Sequence, residues 1–421
     1  MKFKLAFGKA TVDLELNEDN LLRVIKPNPV NVQVSGREEV RRAIENPIGA
    51  ERLRDIVKRG EKVVIITSDI TRPMPSSLVL PEILEELFTA GVEPNDIKIV
   101  FALGSHRKHT EEEKRYLVGD DVYSRIQCID SDANDCIRMG ITSSGTPVDI
   151  FRVVAEADRR ICLGNIEYHY FAGYSGGAKA IMPGVSTRQA IQANHSKMVM
   201  EWAKTGELER NPVRQDIEEA VSFVPIDFIL NVVLDEHKNI IKAVAGHHIE
   251  AHREGCKFLD KLYKVKLDRQ ADIVIVSAGG YPKDINLYQA QKALDNAKHA
   301  VRKGGIIILL ASCKEGLGER VFEKWIMKSN TADDMIEEIQ RNFELGGHKA
   351  AAIAMVLKNN DVYIVSELNE DLVRKAYMKP YSELQTAFND AMNKLGYGSK
   401  VIIMPYGGST LPYVEHPLEG N

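Results

Sequence analysis

KVVIITSDITRPMPSS, residues Lys62–Ser77, decides the fold: an apolar, β-branched run breaks abruptly into Ser68, Asp69, Thr71 and Arg72. A helical pattern from Pro81 to Thr89 follows and stops at Gly91. DIKIVFALGSHRKHT (Asp96–Thr110) then repeats the motif of a strand ending in small and polar residues, here Gly104, Ser105 and His106. The alternation is βαβ, which predicts a parallel sheet whose short strands are buried on both faces.

Upstream, residues 1–16 alternate as a half-exposed strand or hairpin would, and ENPIGAERLRDIVKRG from Glu45 reads as a proline-led helix closed by Gly60. Downstream, ADRRICLGNIEYH brings a third strand to a polar end. FILNVVLDEHKNIIKAVAG reads as a hairpin turning at Asp235 to Asn239, and HHIEAHREGCKFLDKLYKV as an amphipathic helix.

After the charged, irregular stretch Lys264–Gln270 the rhythm restarts. ADIVIVSAGGYPKD is followed by a helix from about Leu287 to Lys303 and by GGIIILLASCKEG. A helical run Ala332 to Glu344 leads to GGHKAAAIAMVLKNN, DVYIVSEL and SKVIIMPYGGST, read with the buried strands. The expected architecture is two α/β domains with mostly parallel sheets, residues 1–266 and 267–421. Ligands of open α/β sheets sit at the carboxyl ends of strands, so the site is expected in the cleft between the domains.

A chain of 421 residues exceeds one ordinary core, which agrees with two domains. A net charge of −5 with no basic stripe argues against nucleic acid. Five scattered cysteines, none in a CxxC pair, point to a reduced protein without a thiolate zinc site. The first residues lack the apolar run of a signal peptide and no window is apolar enough to span a bilayer, so a cytoplasmic protein with no membrane partner is the expectation.

The chemistry concentrates in GNIEYHYFAGYSGGAKAIMPGVSTRQAIQANHS, Gly164–Ser196. Its small residues Ser175, Gly176 and Gly177 would let backbone amides approach an anion, phosphate being the natural guest. The run is not a P-loop, because Ala178 stands where a glycine belongs and Ala180 replaces the Ser or Thr that holds magnesium. Lys179 leaves a loop that could surround it with the apolar side chains of Phe171, Ile181 and Met182, and such a lysine can lose its proton and serve as a covalent anchor; the alternative is a surface lysine after a tight turn.

His106 and His169 each follow a strand end, a placement that suits a general acid and base on either side of a substrate. Arg72 offers a planar fork to a carboxylate or phosphate, with Asp69 orienting it or binding a ribose hydroxyl, unless the two form only a local ion pair. His195 reads as a helix-end residue or a metal ligand. His247, His248 and His252 lack HExxH and are set aside as structural. Gln289 and Lys292, three apart on one helical face, could meet an anionic ligand or simply face solvent.

The segments SDITRP, GSH, EYHYFAGYSGGAKAIMPG, ANHS and GGYPKDINLYQAQKAL, in this order and spacing, resemble the nickel-dependent lactate racemase family over nearly the whole chain. The resemblance implies an isomerase, a racemase or epimerase of 2-hydroxy acids, working by reversible hydride transfer to a nickel pincer nucleotide. That cofactor, a pyridinium-3,5-bisthiocarboxylic acid mononucleotide of nickel, would be attached through Lys179 and made by separate biosynthesis proteins. His195 would ligate the nickel, His106 and His169 would exchange protons, and Asp69, Thr71 and Ser175–Gly177 would contact the cofactor. Arg72, Gln289 and Lys292 would hold the substrate.

Lactate-specific members carry a tryptophan near GGHKAAA, where this chain has His348. That difference points to a longer or more oxygenated 2-hydroxy acid such as an aldonate, unless His348 is structural. Lactate racemase proper is the alternative within the family. A non-catalytic protein binding an anion or nucleotide is the alternative outside it.

Overall fold

Val63–Ser68 is a strand paired in parallel with Ile97–Ala102 on one side and Arg159–Asn165 on the other. Gln127–Asp130 extends the sheet beyond Ile97–Ala102, and Phe228–Leu234 extends it beyond Arg159–Asn165, both in parallel. Ile240–Gly246 closes that edge antiparallel to Phe228–Leu234. Ile65, Ile99, Phe101, Ile161, Leu163 and Leu230 share one buried cluster on one face, and Val64, Ile66, Val100 and Cys162 on the other face are buried too, as strands covered on both faces require.

From the central strand Val63–Ser68 the chain winds outward to Gln127–Asp130, then crosses back to Arg159–Asn165. The order of strands therefore reverses between Val63–Ser68 and Arg159–Asn165, and the crevice at such a reversal is where open α/β sheets hold ligands. Asp69, Thr71 and Arg72 leave the first of these strands, and His169 lies just past the second.

This computed structural model describes residues 1–235 and 237–414, and its contacts divide it into the unit Val30–Lys261 and a unit formed by Met1–Pro29 with the residues from Leu262 onward. The latter has its own six-stranded sheet, wholly parallel, in the order Lys379–Tyr381, Asp361–Val365, Val301–Leu310, Ala271–Ser277, Val401–Met404 and Leu21–Val24. The expected boundary at 266/267 is thus corrected at both places. The hairpin Lys2–Phe7 and Ala10–Glu15 buries Leu5 and Leu14 with Ile273 and Ile308, and Leu21–Val24 pairs with Val401–Met404.

Other local readings change for physical reasons. The helix expected after Glu45 instead ends there, spanning Gly36–Glu45, because Pro47 excludes the helical conformation at Asn46; only the short helix Leu53–Ile56 follows. The helix containing Pro81 begins earlier, at Ser76. GGHKAAAIAMVLKNN is not a strand but the helix Gly347–Leu357, its alanines favouring that state. The hairpin Phe228–Leu234 and Ile240–Gly246 forms as expected, although Glu236 in its turn lies outside the described residues. No helix among the described residues is long and apolar enough to cross a membrane. The five cysteines are unpaired, and burial pushes the Cys128 and Cys313 thiols up to about 12.

Candidate functional site

His106 Nδ1 lies 3.1 Å from Asp69 Oδ2 and 3.4 Å from Thr71 Oγ1, while the Thr71 amide donates to Asp69 Oδ1 at 2.7 Å. Burial alone would raise the Asp69 carboxyl, but the hydrogen bonds from His106 and Thr71 prevail and hold it down to about 2. An ionised carboxylate can only accept, so His106 carries its proton on Nδ1 and presents Nε2 as an acceptor. His109, three residues after His106, is structural. It donates from Nδ1 to Asp130 Oδ1 at 2.6 Å and accepts the Ile70 amide at Nε2 at 3.0 Å, clamping the loop that bears Asp69.

Arg72 is exposed, and among the described residues no ion pair joins it to Asp69, whose carboxylate faces His106. The local ion pair considered from the sequence is therefore not what the carboxylate makes. The guanidinium is exposed to solvent.

Tyr168–His169 and Gly173–Tyr174 form a short hairpin of two-residue strands beyond Arg159–Asn165. Ala172 donates its amide to His169 Nδ1 at 3.2 Å, so the neutral ring carries its proton on Nε2, the opposite tautomer to His106. Phe171 sits edge-on to both His169, with ring centroids 4.5 Å apart, and His195, at 4.9 Å. Burial, with the positive charges of Lys179, His195, Arg72 and Arg214, pushes the His169 imidazole well below its ordinary range.

Lys179 occupies a 3-10 turn, Gly177–Ala180. Burial, then the Arg214 and Arg72 guanidinium groups, drive its ammonium well below the lysine range. Its side chain retains some solvent access at the rim, yet it lies deep enough in protein for desolvation to dominate. Gly104 donates to the Gly184 carbonyl at 2.8 Å, tying the loop of His106 to the segment after Lys179. His195 ends the helix Arg188–His195 and is 8% exposed, with Nδ1 2.8 Å from Asn194 Oδ1.

The glycine-rich turn departs from the reading given it. The Ser175 amide donates to Glu167 O and the Gly177 amide to Asn231 Oδ1, both at 2.8 Å, so neither is aimed at an anion. Gly177, at φ +59°, lets the loop approach the His252 ring, which a Cβ would meet at 3.0 Å; at Gly176 a Cβ would meet Asn231 Oδ1 at 2.8 Å. Small residues here serve packing within the protein.

Two residues beneath the loop escaped the sequence reading, and a third, His252, was read as structural and is so. Arg214, 0% exposed, donates to the carbonyls of Ala172, Tyr174 and Gly176. Asn231 holds Gly177, and His252, set aside earlier, places Nε2 2.8 Å from the Ser175 carbonyl. Their signals were polar residues in apolar phase: Arg214 shares a helical face with Ile217 and Val221, and Asn231 interrupts FILNVVL.

Gln289, Lys292 and His348 belong to the other unit. Gln289 is exposed on the helix Leu287–Ala297, its amide capped by Asn286 Oδ1 at 2.9 Å, and Lys292 is half-buried one turn on. His348, 8% exposed, accepts the Gly346 amide at Nδ1 at 3.0 Å and packs against Phe343 at 5.5 Å.

The chain matches the family model of the lactate racemase N-terminal domain over residues 7–206 and that of the C-terminal domain over residues 266–411. It is 35% identical over 420 residues to a lactate racemase of Thermoanaerobacterium thermosaccharolyticum, covering 97% of this chain and 98% of the relative. A lactate racemase of Lactiplantibacillus plantarum is 32% identical over 415 residues, covering 96% and 97% respectively. The solved apoprotein of the Thermoanaerobacterium racemase superposes with a TM-score of 0.88 at 34% identity, over 99% of this chain and 100% of that one. A Thermotoga maritima protein shares the fold with a TM-score of 0.63 at 19% identity, over 90% of this chain and 98% of that one.

Proposed function

The chain belongs to the lactate racemase family and is an isomerase, and from that premise we propose that it racemises or epimerises 2-hydroxy acids at the cluster His106, His169, Lys179 and His195. The observation that carries this reading is that Lys179, His195 and Arg72 all bear on His169, while His106, in the opposite tautomer, is held by Asp69 and Thr71 of the loop that carries Arg72, in a chain of this family.

The Cα hydrogen of a 2-hydroxycarboxylate is unactivated and sits beside a negative charge, so its loss as a proton lacks an electron sink. Departure as hydride, coupled to loss of the hydroxyl proton, avoids that barrier. His106 is prepared for the proton: Nε2 accepts it, and the Asp69 carboxylate stabilises the imidazolium formed. His169 stays neutral and enters as a hydrogen-bond donor from Nε2. We assign it the hydrogen bond to the substrate oxygen on the opposite side; it exchanges a proton there only once the Ala172 amide releases Nδ1. Arg72 supplies a fork for the substrate carboxylate. For Gln289, Lys292 and His348 the proposed part in substrate binding rests on the sequence pattern and is tested by substitution.

The residues present fit a nickel pincer nucleotide at two points. A lysine driven toward its neutral form can be acylated, and His195, with Nδ1 held 2.8 Å from Asn194 Oδ1, would ligate a metal through Nε2. No group of three or more His, Cys, Asp or Glu among the described residues could hold a metal alone, so donors would have to come from the cofactor as well. The Ser175 and Gly177 amides do not fit as phosphate contacts. Bound there, the group would supply a reversible acceptor for the hydride.

The relatives are named for lactate, and His348 accepting a backbone amide favours a structural role over a polar pocket wall. Lactate is therefore the first substrate to test, with longer 2-hydroxy acids beside it. Cofactor-loaded protein is incubated with one enantiomer in deuterated water. Loss of optical rotation with retained Cα hydrogen supports the proposal; Cα deuteration overturns hydride transfer, and no inversion of any 2-hydroxy acid overturns the activity.

A further inference from the structure

Asp216, 3% exposed, is the hub of a buried network in the helix Pro212–Phe223. Its Oδ1 accepts from Thr142 Oγ1 at 2.6 Å and from Ser144 Oγ; its Oδ2 accepts from Thr146 Oγ1 and Asn194 Nδ2, both at 2.7 Å, and from Lys197 Nζ at 3.0 Å. Five donors converge on one carboxylate, so it can present nothing but acceptors.

That fixes Asn194, which is 0% exposed. Its Nδ2 donates to Asp216 Oδ2 and to the Val213 carbonyl at 3.2 Å, two groups that cannot donate in return. The amide is thereby locked with Oδ1 toward His195, whose Nδ1 stands 2.8 Å away and must carry the proton.

We propose that Asp216, acting through the side-chain amide of Asn194, sets the tautomer and ring orientation of His195 so that Nε2 is the nitrogen offered to a metal. Asp216 and Asn194 are positioning residues. Their metal-side consequence rests on the reading of His195 as a ligand; the tautomer does not. Metal-bound histidines commonly give their other N–H to an acceptor that is itself held, and this chain builds that acceptor in advance.

Asp216→Asn tests the relay, because an amide at 216 can donate to Asn194 and let its carboxamide turn. Long-range proton–nitrogen correlation spectra are recorded on the cofactor-free chain labelled at histidine nitrogen, with His195 assigned by its loss in His195→Gln. Wild type is expected to show His195 protonated on Nδ1. Asp216→Asn and Asn194→Ala should shift it to an Nε2–H majority while His106 and His169 keep their signals, which reports a folded chain. A wild-type Nε2–H tautomer overturns the proposal, as does an unchanged tautomer in both variants.

In cofactor-loaded protein, Asp216→Asn should keep the adduct mass on Lys179 and lose nickel to a chelator with about 10- to 100-fold weaker retention. If the tautomer shifts as expected but nickel retention is unchanged, the positioning role stands and the metal role of His195 fails.

Discussion

Asp69 Oδ2 receives the Nδ1 proton of His106 at 3.1 Å, which makes a buried carboxylate the partner of one imidazole in the cluster while a backbone amide fills the same position of the other, His169. The two rings rest unalike, and their substitutions are expected to behave unalike.

Asp69→Asn is predicted to lower kcat by about 10²-fold or more with a smaller effect on KM, because the imidazolium of His106 loses its counter-charge and its tautomer is no longer fixed. Steady-state kinetics on cofactor-loaded enzyme check it. The same carboxylate bears on acid stability. Its pKa falls from 3.8 to about 2 on folding, so it contributes about 2 kcal/mol that is present above 3.8 and lost as pH falls through about 2. Urea titrations between pH 5 and 2 should show that loss in wild type and a flatter profile in Asp69→Asn.

Lys179→Met is predicted to stabilise the cofactor-free protein at neutral pH. The folded state lowers the lysine pKa, so folding is penalised wherever the unfolded chain keeps the ammonium. The penalty is full below the folded pKa and fades as pH rises toward 10.5. Urea denaturation of both proteins at pH 7 and at pH 10 checks the sign: the gap should narrow at the higher pH.

Arg214→Met should cost more than about 2 kcal/mol, since three loop carbonyls lose a buried charged donor. It should also move the modification of Lys179 by an amine-reactive ester to higher pH, because one of the two guanidinium groups that disfavour the ammonium is gone. Peptide mass mapping across a pH series reads this directly.

His348→Ala is expected to lower stability by about 1 kcal/mol by orphaning the Gly346 amide, and to leave the ratio of kcat/KM for lactate and a longer 2-hydroxy acid within about twofold. A selective change in that ratio would restore His348 to the substrate pocket.

Much of this was legible in the sequence where a local pattern carries long-range meaning. β-branched runs closed by polar residues gave the parallel strands and put Asp69, Arg72, His106 and His169 at their ends. What escaped depends on partners far along the chain. Nothing near Gly176 and Gly177 reveals that Asn231 and His252 pack under them, so small residues read as an anion cradle. The same holds for Asp216, whose donors come from Thr142, Ser144, Thr146, Asn194 and Lys197. The N-terminal strands were assigned to the wrong unit because pairing of Leu21–Val24 with Val401–Met404 spans most of the chain.

The most direct measurement is intact mass with metal analysis of the chain produced beside cofactor biosynthesis proteins, wild type against Lys179→Ala. Wild type is predicted to carry a nucleotide-sized adduct and one equivalent of nickel, and Lys179→Ala neither. A wild-type chain of unmodified mass and without nickel, or an adduct that survives the substitution, would contradict Lys179 as the anchor of the chemistry.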